Sequence, residues 1–182
     1  ARMLEVLEAA PDRVPAQCPV FGRCGGCHYQ HAPYQFQLAA KHAILVEELR
    51  RLGKMEPPAV IAVVAGEPFG YRNRVQLHVE RTRIGYREAR SHRLCAVGQC
   101  PVGSPKIEEA LRVLNAMTRD GRWPRFMRSI EVFTDESQVQ INVLETERPV
   151  ARRFFDWCGE QIPGMVEGAL DYEGRFRVSS NS

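Results

Sequence analysis

Alternating apolar and polar residues predict several short strands in this chain of 182 residues. In the segment YRNRVQLHVE, Val75, Leu77 and Val79 alternate with polar side chains. This period of two indicates a strand with one buried face and one face towards solvent. Two further strands are expected, near 84–87 and 94–97.

Three segments show the apolar spacing of amphipathic helices. The first is expected to begin at Pro33, in the N1 position, and to end before Gly53. The second is expected to begin at Pro105 with Ser104 as its N-cap residue, and the third at Pro149. The apolar residues expected on the inner faces of the three helices are Tyr34, Leu38, Leu45, Leu49 and Leu52, then Ile107, Leu111 and Leu114, and finally Val150, Phe154 and Trp157.

A hairpin is expected from the strands 130–134 and 139–144, which are separated by a short polar turn at 135–137. Strands that follow each other through short turns pair antiparallel. The sequence therefore predicts an α+β fold, with antiparallel strands, flanking helices and a cysteine-rich loop near the N-terminus.

Charge is concentrated in one part of the chain. The net charge is only +3, but residues 72–93 contain seven arginines against two acids, Glu80 and Glu88. A local basic face of this kind is what a nucleic-acid partner requires. The alternative is that these arginines are solvated and pair with the acids nearby.

The composition is that of a globular protein, with 44% hydrophobic and 26% charged residues. The sequence contains no run of about 18 apolar residues that would span a membrane. Its first residues also lack the order of a signal peptide. We therefore expect a cytoplasmic protein with no membrane partner.

Six cysteines are the most informative residues. Three of them lie close together in CPVFGRCGGC, namely Cys18, Cys24 and Cys27, and Cys100 follows far downstream. Clustered cysteines in a cytoplasmic protein indicate metal ligands before disulfides. Three thiolates from one loop with a remote fourth favour a four-iron cluster.

Two alternatives remain for the cysteines. His28 and His31 could complete a zinc site with Cys24 and Cys27, and the thiols could also bind no metal. The other two cysteines, Cys95 and Cys158, are expected in the core as small apolar residues.

The residues quoted above also resemble a known family. The segments CPVFGRCGGCHYQHAPYQFQLAAKHAILVEELRRLG, FGYRNRVQLHV, IGYREARSHRLCAVGQCPVGSP and FRVSSNS are similar, in this order, to the RNA uracil-5-methyltransferases that carry a four-iron cluster, which act on 23S ribosomal RNA or on transfer RNA. The resemblance implies that Cys18, Cys24, Cys27 and Cys100 hold a [4Fe–4S] cluster.

The resemblance also implies a domain organisation. Residues 1–14 are similar to the end of an N-terminal RNA-binding β-barrel, and residues 15–175 to the central iron–sulfur domain. Residues 176–182 would lead into a domain that binds S-adenosylmethionine. Because no catalytic cysteine and no cofactor-binding loop of that domain can be placed on this sequence, the chain alone is expected to be inactive, with S-adenosylmethionine bound only by the full-length enzyme.

The implied reaction is covalent catalysis on a uridine that has left its stack, with ribosomal RNA preferred over transfer RNA as the substrate. RNA, and not DNA, is the expected partner. The residues expected to contact it are Arg72, Arg74, Gln76, His78, Arg87 and His92. The competing interpretations are an RNA-binding module that depends on zinc or on an iron–sulfur cluster and has no catalysis of its own, and a ferredoxin-like electron carrier.

Overall fold

The computed structural model describes residues 5–166 and the backbone of residues 169–170 and 176–177. The expected α+β class is confirmed. The elements in chain order are α1 (Tyr34–Arg51), β1 (Arg74–Glu80), β2 (Arg83–Arg87), β3 (Leu94–Ala96), α2 (Pro105–Met117), β4 (Met127–Thr134), β5 (Val139–Thr146), α3 (Arg152–Gln161), β6 (Ala169–Leu170) and β7 (Phe176–Arg177).

The first five strands form one antiparallel sheet in the order β3-β2-β1-β4-β5. Val75, Leu77 and Val79 of β1 point to one face and are almost fully buried, as their alternation predicts. They belong to the same apolar core as Leu111 and Leu114 of α2, which packs against β2 and β4. The opposite face of β1 carries its polar side chains.

The three helices begin at or after the expected positions. The Ser104 hydroxyl caps α2 by accepting a hydrogen bond from the backbone N–H of Ile107, at 3.4 Å. Helix α1 begins one residue later than expected, at Tyr34, so Pro33 occupies its N-cap position and not N1. The prediction that α3 begins at Pro149 was wrong by three residues. The backbone is still extended at Ala151, with ψ 146°, and the helix begins at Arg152.

The strand β1 is shorter at its start than the alternation suggests. Arg72 has the polar phase of the strand, yet its backbone forms a parallel bridge with Gly103 and not a continuation of β1. The hairpin of β4 and β5 is longer than expected. Its pairing is interrupted by a register shift between Met127 and Ile130. The shift breaks the alternation of buried and exposed residues, so the sequence pattern does not reveal the first residues of β4.

Helix α1 has no buried residue, although it ends where expected, with Gly53 directly after its C-cap residue Leu52. In the stripe expected to be buried, Leu45 is 46% exposed and Leu52 is 67% exposed. Tyr34, Leu38 and Leu49 are half-buried, so within residues 5–166 the stripe is covered only in part. No helix of the described residues has the length and apolar character that crossing a membrane would require.

Gly85 in β2 lies where no side chain fits. A Cβ at this position would come within 2.1 Å of the Cys95 carbonyl oxygen, and 2.8 Å of the Ala96 Cα, on the neighbouring strand β3. We expect Gly85→Ala to lower the free energy of unfolding by about 3 kcal/mol. Chemical denaturation measures this, with Gly98→Ala as the control because a Cβ there meets no atom within 4 Å. Equal stability of the two variants would contradict the packing described.

Candidate metal centre and nucleic-acid interface

Four cysteines from distant parts of the sequence line a single cavity. Cys18, Cys24 and Cys27 belong to the N-terminal loop, and Cys100 follows β3. Cys100 is buried and the other three are half-buried. These are the four predicted metal ligands, and the structure brings them together; their binding of a metal stays a prediction.

The N-terminal cysteine loop is attached to the sheet by its backbone. Residues 18–24 form a succession of tight turns. The Gly25 N–H then donates to the Arg87 carbonyl, and the Ala89 N–H donates to the Arg23 carbonyl, both at 2.9 Å. These bonds extend the sheet beyond the end of β2 and fix the three thiols beside it.

The segment around Cys100 is held between α2 and the start of β1. The Cys100 N–H donates to the carboxylate of Glu108, in the first turn of α2. The Arg72 N–H donates to the Val102 carbonyl at 2.8 Å, and the Ser104 N–H donates to the Arg72 carbonyl at 2.9 Å. A group bound to all four cysteines would thus connect the N-terminal loop to the residues from which β1 starts.

The thiols of Cys18 and Cys24 have raised pKa values. Burial raises the pKa of Cys24 to about 11, opposed by the hydrogen bond that its sulfur accepts from the Gly26 N–H. Burial also raises the pKa of Cys18, with further contributions from the thiols of Cys100 and Cys27. Because the thiolate is the metal ligand, binding must release these protons.

The donor set of the cavity fits an iron–sulfur cluster. Its walls include the guanidinium group of Arg72, the amide of Gln30 and the phenol ring of Tyr86, besides the four cysteines. A cluster with four thiolate ligands carries negative charge and sulfur acceptors, which these cationic and donor groups would stabilise. Burial raises the pKa of Tyr86, so its hydroxyl remains a donor at neutral pH.

A site for a single ion is not assembled in the described part of the chain. Among residues 5–166, no three Cys, His, Asp or Glu side chains converge as the ligands of one ion would. Zinc requires four ligands at about 2.0–2.3 Å from one point, whereas in a four-iron cluster each thiolate binds a different iron atom. His28 and His31, the alternative zinc ligands, do not line the cavity.

The two remaining cysteines are buried, as expected. Cys158 lies in α3 and Cys95 in β3, and neither side chain is exposed. Cys95 has a neighbour that the sequence did not suggest, because Arg23 Nε donates to its sulfur at 3.3 Å. Arg23 thus ties the cysteine loop to β3.

Four of the six predicted RNA-contacting residues share one face of the sheet. Arg74, Gln76 and His78 alternate with the buried residues of β1, and Arg87 follows the same face on β2. Arg74 and Gln76 are exposed, whereas His78 is half-buried. Burial, followed by the charge of Arg87, lowers the pKa of His78, so this face carries a neutral imidazole at pH 7.

The other two predicted residues lie apart from this face. His92 is exposed in the turn between β2 and β3, and its carbonyl accepts a hydrogen bond from Arg87. Arg72 precedes β1 and lines the cysteine cavity; its Nη1 lies 3.9 Å from where a Cβ of Gly26 would be. The contact of Arg72 and His92 with RNA stays a prediction.

Nearby acids account for part of the basic charge. Arg87 and Glu80 lie 3.5 Å apart, and Arg93 and Glu88 lie 2.8 Å apart. Ion pairs near the surface contribute little stability. These two pairs therefore do not conflict with the predicted contact of Arg87 with RNA.

Phe133 was not identified from the sequence as part of this face. It pairs with Arg74 across β1 and β4, and the Arg74 guanidinium carbon lies 5.1 Å from its ring centre. The signal was present, because Phe133 occupies the polar phase of β4, between Val132 and Thr134, which are both buried. A half-buried aromatic ring beside arginine is a surface on which an unpaired base can stack.

Comparison with known proteins identifies relatives of the chain, although no family model matches it. It is 36% identical over 138 residues to the 23S rRNA (uracil(1939)-C(5))-methyltransferase RlmD of Alkalilimnicola ehrlichii, a match that covers 72% of the chain and 31% of that protein. The enzyme of the same name from Pseudomonas putida is 33% identical over 144 residues, covering 76% of the chain and 32% of that protein.

The enzyme of the same name from Methylococcus capsulatus is 31% identical over 159 residues, covering 84% of the chain and 36% of that protein. The chain thus spans about a third of the length of the curated relatives it matches. The similarity nevertheless extends through most of the chain itself, as the resemblance in the quoted segments predicts. By its sequence, the chain resembles one part of the RNA uracil-5-methyltransferases.

Proposed function

We propose that this chain is the iron–sulfur and RNA-contacting part of a cytoplasmic enzyme that transfers a methyl group from S-adenosylmethionine to C5 of a uridine in ribosomal RNA. The observation that carries the proposal is the cavity shared by Cys18, Cys24, Cys27 and Cys100. The identity to enzymes named as 23S rRNA methyltransferases supports the reaction and the class of substrate.

The cluster has a structural role in this proposal. Its four ligands come from the N-terminal loop and from the segment that precedes α2. That segment bonds to the backbone of Arg72, two residues before β1 begins. A cluster in the cavity supplies iron–thiolate bonds between the two segments, and these bonds fix the start of the strand that faces RNA. Methyl transfer from S-adenosylmethionine requires no electron, so the reaction gives the cluster no redox task.

The sheet face with Arg74, Gln76, His78 and Arg87 holds RNA near the reaction. Arginine contributes bidentate contacts to phosphate groups, and the amide and imidazole groups can bind the edges of bases that have left their stack. Phe133 adds a ring on which such a base can lie. We assign S-adenosylmethionine binding and the catalytic cysteine to parts of the enzyme outside this chain, which alone binds RNA without methylating it.

The test of this proposal uses the full-length protein that contains the chain, purified without oxygen. It is expected to contain iron and acid-labile sulfide and to transfer a labelled methyl group from S-adenosylmethionine to unmodified 23S ribosomal RNA. Nuclease digestion of the product should yield 5-methyluridine. Zinc without iron would contradict the cluster. Iron together with RNA binding but no methyl transfer would leave an RNA-binding module, and a cluster without RNA affinity would favour an electron carrier.

A further inference from the structure

We propose that the Tyr86 hydroxyl and the Gln30 side-chain amide donate hydrogen bonds to the sulfur atoms of the bound cluster and thereby set its stability and its reduction potential. This inference rests on the proposed function, since it requires the cluster. It concerns two residues that no pattern in the sequence assigns to the site, and it follows from which atoms of the cavity lack a partner.

Gln30 is held with one end of its amide satisfied and the other end free. Its side-chain oxygen accepts a hydrogen bond from the Cys18 N–H at 3.0 Å, which fixes the orientation of the amide. The residue is only 9% exposed, and its Nε2 is buried without a hydrogen-bond partner. A buried N–H without a partner is destabilising, so such a group is expected to meet an acceptor in the functional state.

Tyr86 also carries a buried donor without a partner, and it belongs to the sheet and not to the N-terminal loop. It lies on β2, opposite Cys95, with its side chain on the buried face of the sheet. Its hydroxyl is buried and makes no hydrogen bond of regular geometry, although the Cys100 side chain lies beside it. Tyr86 therefore approaches the cavity from the sheet, whereas Gln30 approaches it from the N-terminal loop.

The two donors without a partner lie on residues that line the same cavity as the four thiols. Six buried side-chain atoms of the described residues lack a hydrogen-bond partner. Of the residues that carry them, only Gln30 and Tyr86 line the cavity with the cysteines. Both of these atoms can donate a hydrogen bond, and the cavity offers sulfur as the acceptor.

The chemistry of a cluster explains what these donors would do. Its sulfides and thiolates accept hydrogen bonds, and these bonds stabilise negative charge on the sulfur atoms. The reduced cluster carries one more negative charge than the oxidised cluster and gains more from each bond. Removing a donor should therefore shift the reduction potential to a more negative value and hasten loss of the cluster.

Tyr86→Phe tests the inference most directly, because it removes only the hydroxyl oxygen. In the full-length protein with its native cluster, we expect a more negative reduction potential by spectroelectrochemical titration. We also expect roughly tenfold faster bleaching of the cluster absorbance in air. Tyr71→Phe is the control, since Tyr71 is 57% exposed and does not line the cavity.

The stability of the protein prepared without its cluster supplies a second measurement, in which Tyr86→Phe is not expected to be harmful. Without the cluster, the Tyr86 hydroxyl is an unsatisfied buried group, so Tyr86→Phe should leave the stability of the apo-protein unchanged or raise it. A variant that weakened the fold in general would lower the stability of both forms. Faster loss of the cluster from the holo-protein, with unchanged or higher stability of the apo-protein, is therefore the signature of a donor to the cluster.

Gln30→Glu keeps the oxygen that Cys18 requires and replaces the donating nitrogen with an oxygen. It should destabilise the cluster at least as much as Tyr86→Phe, and Gln17→Glu is its control, being the same substitution at an exposed position of the same loop. An unchanged potential and an unchanged bleaching rate in both variants, with a cluster present in the wild type, would overturn the inference alone. A wild-type protein without iron would overturn the proposed function as well.

Discussion

Cys100→Ser is expected to remove iron and acid-labile sulfide from the protein when it is purified without oxygen. Cys100 is the remote member of the four cysteines around the cavity, and it is the only one of them that does not lie in the N-terminal loop. Its loss leaves only three thiols, all from the N-terminal loop, whereas a four-iron cluster takes four thiolate ligands. The same metal analysis distinguishes iron from zinc. Iron and sulfide assays together with the visible absorbance of the cluster measure the effect.

The same substitution should weaken the fold and the RNA affinity together. The proposed cluster would link the N-terminal loop to the segment before α2, and a covalent link over such a distance contributes about 2–4 kcal/mol. Thermal unfolding of the anaerobic protein measures the loss. Cys158→Ala is the control, because Cys158 is buried in α3 away from the cavity. Full retention of iron in Cys100→Ser, or equal loss in both variants, would contradict the assignment.

Removing both arginines of the sheet face, as Arg74→Ala with Arg87→Ala, is expected to weaken RNA binding by about 10–100-fold at low salt. Arg74 is 62% exposed and pairs only loosely with Glu131, at 4.0 Å, and Arg87 pairs with Glu80 at 3.5 Å. If each arginine contacts one phosphate, the slope of log affinity against log salt should become shallower by about 1.5–2. Fluorescence anisotropy with a labelled RNA across several salt concentrations measures both quantities.

The matched control for this variant is Arg50→Ala with Arg51→Ala. It removes the same charge from exposed ion pairs at the end of α1, away from the sheet. Arg72 is left intact in both variants, because its position in the cysteine cavity would mix an effect on the cluster with one on RNA. The same affinity and salt slope in the sheet variant as in the control would remove this face from the RNA interface.

The strands and their faces could be predicted well where side chains alternate strictly. Val75, Leu77 and Val79 are buried and Arg74 and Gln76 are exposed, as the period of two requires. The prediction was less accurate for β4, because a register shift near Ser129 breaks the alternation. Helix α1 shows the opposite case, since its apolar stripe is evident in the sequence but none of its residues is fully buried among the described residues. A stripe indicates that a helix can pack, but it does not say against what.

Part of the expected domain organisation lies beyond what the structure describes. The proposed link at 176–182 falls outside the described residues except for the backbone of β7. Residues 5–14 form no strand, and the Val14 N–H donates to the His31 carbonyl at 2.9 Å. The assignment of residues 1–14 to the end of a β-barrel therefore stays a prediction.

The sequence by itself determined the chemical identity of the candidate ligands and the polar face of β1, because cysteine spacing and side-chain alternation are properties of the chain alone. Only the tertiary structure decided which groups surround the cysteines. Arg72 lies outside β1 because its backbone bonds to the segment that follows Cys100, and Gln30 and Tyr86 reach the cavity from different parts of the fold. Contacts of this kind depend on how distant segments pack, and no local pattern encodes them.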